Sequence, residues 1–485
     1  MEVFPAYISA ERLLGAAGLL EIYRSRGGLD SQTTSTSSIY SREVVWRKPN
    51  HFVSGIQYVF LSNRKEPPFM RLLSIVIFLL LVTPIQAQYR LAWDEWGSST
   101  IGAENTYSVN HGLHFAIDQL LPQRLTEEEN FGLKLAGIGY RLAKMVLVDA
   151  HVDLTMHLFQ HEYFGHGFRF REFGYRNSSY EINAYPPYGP GGGRAFFGQI
   201  SPGRKLSTQE LAIIYSGGSE AAATMAQKVR RNWLLNGEVY YQDWLLYTAG
   251  LLDLTGYIYT TRWFTPGSGN DVVNYTSRIN RIYGYEQEQD WALTYRDLER
   301  RSLINLVNTY QLMAFYTVLK TYLLDGEATT KLPMLRLGNY RYLPAFRFGL
   351  TPFGTEWYFD HDLMQEDRLY QLYFRFGSDD LVNSSVWGVG LHHYRPLSKR
   401  LQLQVEADMW QQPALTLGGL EEFTTNDGLG GRFALSCDYQ PSDNFPIGLY
   451  VQVGGKTTGY MPGEILDAGF IWRLGLSYLP ESSRK

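Results

Sequence analysis

The 485-residue chain carries 44 Lys and Arg against 48 Asp and Glu, a formal charge of −4. That balance gives no basic footprint for nucleic acid. Its one cysteine, Cys437, excludes an intrachain disulfide and a zinc ribbon. Aromatic residues make up 15%, including 35 Tyr and 11 Trp, a load that suits membrane-interface girdles or β-rich surfaces.

Residues 1–69 show no clear periodicity, and Ser31–Ser38 is low in complexity. They read as an extension upstream of a true start at Met70. Met70-Arg71, the apolar run Leu72–Val82 and the small residue Ala87 fit a signal peptide over 70–87, too short to span a bilayer comfortably. The mature chain is then expected to begin near Gln88 and to be exported, to the periplasm or the outer membrane.

From 88 to about 330 the pattern is mainly helical. Leu133–Val148 comes first, then the histidine-rich stretch Asp153–Phe173. The Gly/Pro/Tyr-rich run 184–193 follows, where no helix or strand continues. Ser207-Thr-Gln-Glu210 is a capping signature for a helix running toward Arg231. Trp244–Trp263 and Leu303–Leu324 are long and apolar but broken by Asp253, Thr255, Asn305 and Asn308, so core helix and membrane span compete.

Within this region lies His161-Glu162-Tyr163-Phe164-Gly165-His166. Zinc hydrolases pair two histidines with an adjacent glutamate, usually as H-E-x-x-H, so that both imidazoles leave one helix face. Here the histidines sit five apart, which on a regular helix separates them by roughly 140° rather than 40°. A one-residue π-bulge at Phe164-Gly165 would bring them together. His161 and His166 are then metal ligands, Zn2+ the expected ion and Glu162 the general base. An undistorted helix would instead align Asp153, His157 and His161, four apart, as a stripe suited to an iron oxidase. Two carboxylates compete as third ligand: Glu220, in a small-residue segment, and Asp253, costly inside an apolar helix unless paired or metal-bound.

From about Leu335 the period becomes two. Leu401, Leu403, Val405, Ala407 and Met409 alternate with Gln402, Gln404, Glu406 and Asp408, and Ala468–Tyr478 repeats the pattern. About eight strands of roughly nine to eleven residues follow, a length and face pattern that match a membrane β-barrel, with a soluble sandwich as competitor. The fold class is α+β: a helical metal-binding domain over 88–330, then an antiparallel β-barrel-like (or sandwich) domain over 331–485.

His161-Glu162…Gly165-His166, the downstream Arg169, Arg171 and Gly174, then Tyr215–Ala222 and Leu251-Leu-Asp-Leu-Thr-Gly256, together resemble the layout of site-2-type membrane metalloproteases. The resemblance spans about 160–260. It implies a zinc metallopeptidase with His161, His166 and Asp253 as ligands and Glu162 as base. Glu220 would match the glutamate ligand of gluzincin-type peptidases instead. The chain departs from the family in its histidine spacing, in Gly218-Ser219 and in Leu254. The expected function is an exported zinc peptidase acting on protein or peptide substrates and anchored in a membrane. A non-enzymatic barrel with a degenerate site, or a metal-dependent oxidase, are the alternatives.

Overall fold

The computed structural model describes residues 89–478, apart from 125–129, 176, 198–205, 262–268, 378–380, 382–385, 414–426 and 443–444. The expected extension and signal peptide therefore lie outside the described residues. Everything described belongs to one compact unit, Pro67–Lys485.

The period-two segments form strands β7 (Tyr340–Thr351), β8 (Gly354–Gln365), β9 (Arg368–Gly377), β10 (Trp387–Ser398), β11 (Leu401–Pro413), β12 (Asp427–Tyr439), β13 (Ile447–Lys456) and β14 (Gly469–Tyr478). Each pairs antiparallel with the next, so local hairpins build the sheet. Two further strands extend it. The short β6 (Leu335–Leu337) flanks β7, and β1 (Tyr89–Trp93) lies beside β14, with Tyr89 opposite Tyr478. The order is β1-β14-β13-β12-β11-β10-β9-β8-β7-β6, and its ends do not pair. The fold is α+β, but the expected barrel or sandwich of about eight strands is corrected to one antiparallel sheet of ten strands that does not close. A strand from the stretch expected to be helical completes one edge.

Side chains satisfy backbone groups of β1, and of β7 beyond its short pairing with β6, on the sides that no strand covers. Beside β1 runs α1 (Ser99–Leu120), from which Asn105 accepts the Ala92 N–H and donates to the Ala92 carbonyl, both at 2.8 Å. Ser108 does the same for Arg90, at 3.0 and 2.7 Å. Beside β7, Asn305 accepts the Phe348 N–H at 2.8 Å and donates to its carbonyl at 3.3 Å. Asn308 and Thr309 bond the carbonyls of Phe346 and Pro344. These amides and hydroxyls occupy the place of a neighbouring strand, leaving little edge for another chain to pair with. They also explain why Leu303–Leu324 is not one helix. A 3₁₀ segment (Leu303–Val307) ends at extended Asn308, which caps α9 (Thr309–Tyr316), and a π segment (Thr317–Leu324) follows.

The sheet's polarity is inverted relative to a soluble protein. Phe346, Phe359, Phe374, Phe433, Phe470 and Trp472 are exposed, while Asp360, Asp362, Arg375, Asp408, Arg432 and Arg473 are buried. Against the buried face lies α5 (Thr208–Asn236), begun by the expected capping box of Ser207 and Glu210. An ion pair joins helix to sheet, Arg230 of α5 to Asp360 at 2.7 Å, and another links two strands across the buried face, Arg90 of β1 to Asp438 of β12. Within the helical layer, Lys228 of α5 pairs with Glu104 of α1 at 2.5 Å. Around them an apolar cluster of Met225, Val229, Trp233, Leu246, Tyr247 and Tyr310 joins α5 to α6 (Trp244–Thr260) and α9.

Candidate metal centre

The chain from Phe131 to Glu172 is helical almost without interruption: α2 (Phe131–Lys144), a π segment (Met145–Asp149), α3 (Ala150–His161), a π turn (Glu162–His166) and α4 (Gly167–Glu172). The π turn is the inserted residue that the H-E-x-x-x-H spacing requires. Gly167 N–H bonds back to the Glu162 carbonyl, five residues earlier. Carbonyls displaced by the bulge find side chains: Phe164 accepts from Ser99 Oγ at 2.6 Å and Tyr163 from Arg171 at 3.1 Å. Gly165 is required by packing, since a Cβ there would sit 2.7 Å from the Gly217 carbonyl and from Gly218 Cα. The small-residue segment of α5 thus presses directly against the turn.

With the register shifted, His161 and His166 face one point, their Nε2 atoms 3.2 Å apart. A third group arrives from α7 (Asp271–Ile282), where Asn270 caps the helix and Asp271 is its first residue. Asp271 Oδ2 lies 3.3 Å from His161 Nε2 and 3.1 Å from His166 Nε2. Zinc bonds of about 2.0–2.1 Å in tetrahedral geometry place neighbouring ligand atoms about 3.3–3.4 Å apart. The three observed edges are close to that spacing, and the residues present fit a divalent cation.

The far side of each imidazole is also set. His166 Nδ1 donates to the Ile214 carbonyl at 2.7 Å. His161 Nδ1 donates to Asp253 Oδ1 at 3.2 Å, and the other Asp253 oxygen accepts from Ser219 at 2.6 Å. Protons held on both Nδ1 atoms leave the Nε2 lone pairs free for a metal. Asp253 therefore joins the cluster, but at the opposite ring nitrogen of His161 from the one that meets His166 and Asp271. His157 Nε2 reaches the same Asp253 oxygen at 3.1 Å, so His157, His161 and Asp253 make a second metal-capable group sharing His161.

Glu220 is placed elsewhere. Both of its oxygens bind Arg169, at 2.7 and 2.8 Å, and one accepts the Gly463 N–H at 2.7 Å. It ties α4 and α5 to the loop before β14 and does not reach the histidines. Asp153 likewise leaves the expected stripe for His114 and Asn110, at 2.8 and 2.9 Å. His111 pairs with Asp243 at 2.6 Å. Much of the histidine clustering in this region thus serves buried carboxylates rather than one ion.

Glu162 is buried at the start of the π turn, beside Gly193 at the start of strand β3 (Gly193–Phe197). A Cβ at Gly193 would lie 2.8 Å from Glu162 Oε1. Among the described residues the Glu162 carboxylate makes no hydrogen bond or ion pair. Tyr257 of α6 stacks on His161 (centroids 5.5 Å apart, planes 14°), its hydroxyl 3.5 Å from Nε2. Burial opposes charge on His161, but Asp253, Asp271 and Glu162 raise its pKa well above the ordinary value. His166 is raised too, against burial, chiefly by Asp271. Burial would raise the Asp271 carboxyl, yet the two imidazoles hold it down at about 2. One proton cannot serve both nitrogens at once, whereas a divalent cation answers all three groups together.

Asp271 and Tyr257 were not among the expected site residues. Asn270-Asp271 carries only the signature of a helix start, and Tyr257 is one of 35 tyrosines. No family model, curated protein or solved structure matches this chain.

Proposed function

We propose that the protein is a zinc-dependent hydrolase of amide bonds, anchored to a membrane by its sheet. The observation that carries this reading is the triangle of His161 Nε2, His166 Nε2 and Asp271 Oδ2, with edges of 3.1–3.3 Å and both Nδ1 atoms already engaged. Zinc held there would act as a Lewis acid on a carbonyl and lower the pKa of water toward neutrality. Glu162 stands next in sequence to a ligand and accepts the proton of the attacking water, then returns it to the leaving amine. Tyr257, whose pKa burial and nearby carboxylates raise well above the ordinary value, keeps its proton and donates to the oxygen where negative charge develops. The loop 183–192, with Tyr185 and Tyr188, and the hairpin of β2 (Ser178–Ile182) and β3 border the base and suit an extended peptide.

The membrane part of the proposal rests on the sheet's exposed apolar face and buried charged face, the polarity of a β-sheet solvated by lipid. Two histidines and one carboxylate also suit non-haem iron, so an oxidase remains the second reading. A free carboxylate beside the ligands favours hydrolysis.

Elemental analysis of the purified protein should give one zinc per chain, lost in His161→Ala, His166→Ala and Asp271→Asn. Glu162→Gln should keep the metal and lose peptide cleavage. Unchanged metal content in His166→Ala and Asp271→Asn would sink the site, and stoichiometric iron would favour the oxidase.

A further inference from the structure

The open sheet leaves a gap between β1 and the β6–β7 end, and two helical stretches near it have an unusual distribution of polarity. Along Phe131–Asp149 the exposed side chains include Phe131, Leu135, Leu142 and Val146, whereas Arg141, Lys144 and Asp149 are buried. Lys134 is the one exposed charged residue of that stretch. Along Leu303–Leu324, Val307, Leu312, Leu319 and Leu324 are exposed, while Asn305, Asn308, Gln311 and Thr321 are buried. Lys320 is the one exposed charge there, and it pairs with Asp325 at 2.5 Å. Water-facing helices carry the opposite arrangement. No helix of the described residues is long and apolar enough to cross a membrane.

These stretches are joined to each other and to the sheet. Arg141 donates to the Leu323 carbonyl at 2.9 Å, locking the two together. Asn305, Asn308 and Thr309 fix the second stretch to the edge of β7. On the other side of the gap, α1 is bonded to the edge of β1 through Asn105 and Ser108, and to α3 through Thr106–Gln160 and Asn110–Asp153. From β1 to β7 the route runs through packed helices. Hydrocarbon tolerates an open sheet only when the edge N–H and C=O groups are satisfied within the protein, and here side chains do that at Arg90 and Ala92 of β1 and at Pro344, Phe346 and Phe348 of β7.

We propose that Phe131–Leu147 and Leu303–Leu324 are a helical wall in contact with lipid acyl chains, continuing the apolar face of the sheet across its gap. The occupant is lipid, rather than a protein partner, because these apolar faces are bonded to one another and to the edge of a sheet whose own outer face is apolar, while their inner surfaces are polar or charged. The wall completes a barrel that strand pairing leaves open. This inference rests on the membrane reading of the sheet, and the test separates the two.

In a Cys437→Ser background, single cysteines replace Leu135, Val146, Leu312 and Leu319 on the wall, Phe433 and Phe470 on the sheet, and exposed Gln289 as a polar control. Each full chain, after its circular dichroism is matched to the parent, is labelled with bimane. It is then reconstituted into phosphatidylethanolamine–phosphatidylglycerol vesicles whose acyl chains carry bromine. Wall and sheet labels should both lose most of their emission and the Gln289 label little. Quenching of the sheet labels alone would overturn the wall while leaving the membrane reading intact. Quenching of neither set would overturn both, and quenching of the wall alone would uphold lipid contact there and refute it for the sheet. Two positions on each segment keep the result readable if one variant fails to fold.

Discussion

The proton and the metal compete for the same atoms in this centre. In the metal-free protein His161 holds a proton between Asp253 and Asp271, and its pKa is raised well above its ordinary value. That pairing contributes stability in full below the unfolded-state pKa of about 6.5 and loses it as pH rises through the folded value. Asp253 and Asp271 are lowered, so their share is present above about 4 and lost in acid. Metal-free protein should therefore be most stable at mildly acidic pH, which a chelator-treated thermal melt across pH would show. Metal loading should release protons at neutral pH, visible in calorimetry as heats that change with the ionisation enthalpy of the buffer. No buffer dependence would mean that the imidazoles are already deprotonated. The two carboxylates singled out from sequence should separate cleanly. Asp253→Asn should weaken metal binding about 10–100-fold by freeing His161 Nδ1. Glu220→Gln should leave metal affinity intact but destabilise the fold by about 1–3 kcal/mol, since it removes a charge-assisted pair and leaves buried Arg169 with Glu172 as its remaining ion partner at 2.6 Å.

The elements meet at the site because small residues let them. Gly218 of α5 faces His161 so closely that a Cβ would lie 2.2 Å from Nε2. Gly218→Ala replaces no ligand residue, yet by displacing the His161 ring it should lower metal affinity at least about tenfold, the scale on which ligand orientation matters. Titration with zinc reads this, and unchanged affinity would show that the ring can move aside. Sequence carried the π turn because a glutamate after His161 and a glycine before His166 make chemical sense together only if the helix gains a residue. It carried the eight long strands because their side chains alternate over ten or more residues. It did not carry Asp271, since the approach of α7 to the histidines depends on long-range packing and leaves no local spacing to read. Nor could Asn305 be recognised as an edge partner of β7: it read as a flaw in an apolar helix, and its 2.8 Å bond to Phe348 N–H exists only once helix and strand meet. Asn305→Ala leaves that buried N–H unpaired and should cost about 1–3 kcal/mol in denaturant melts.

At the scale of the sheet, charge is gathered on the inner face and aromatic side chains are turned outward. Arginine at Phe470 or Phe433 should be far more damaging in lipid than in a protein whose outer face meets water. At the bilayer midplane the penalty is about 2–4 kcal/mol, falling toward the interfaces. Folding yields in vesicles would reveal it, and wild-type yields from both variants would argue against lipid contact. The adjacency of β1 and β14 has its own consequence for how such a molecule is made. The strand opening at Tyr89 finds its partner only after Gly469–Tyr478 has been synthesised, so the helices wait on the far end of the chain for their anchoring edge. Such distant pairing slows folding. A newly made chain would carry its polar helical cargo unsheltered until its last strand arrives, an interval in which a holding chaperone would find both an unpaired strand and an unclosed wall to bind.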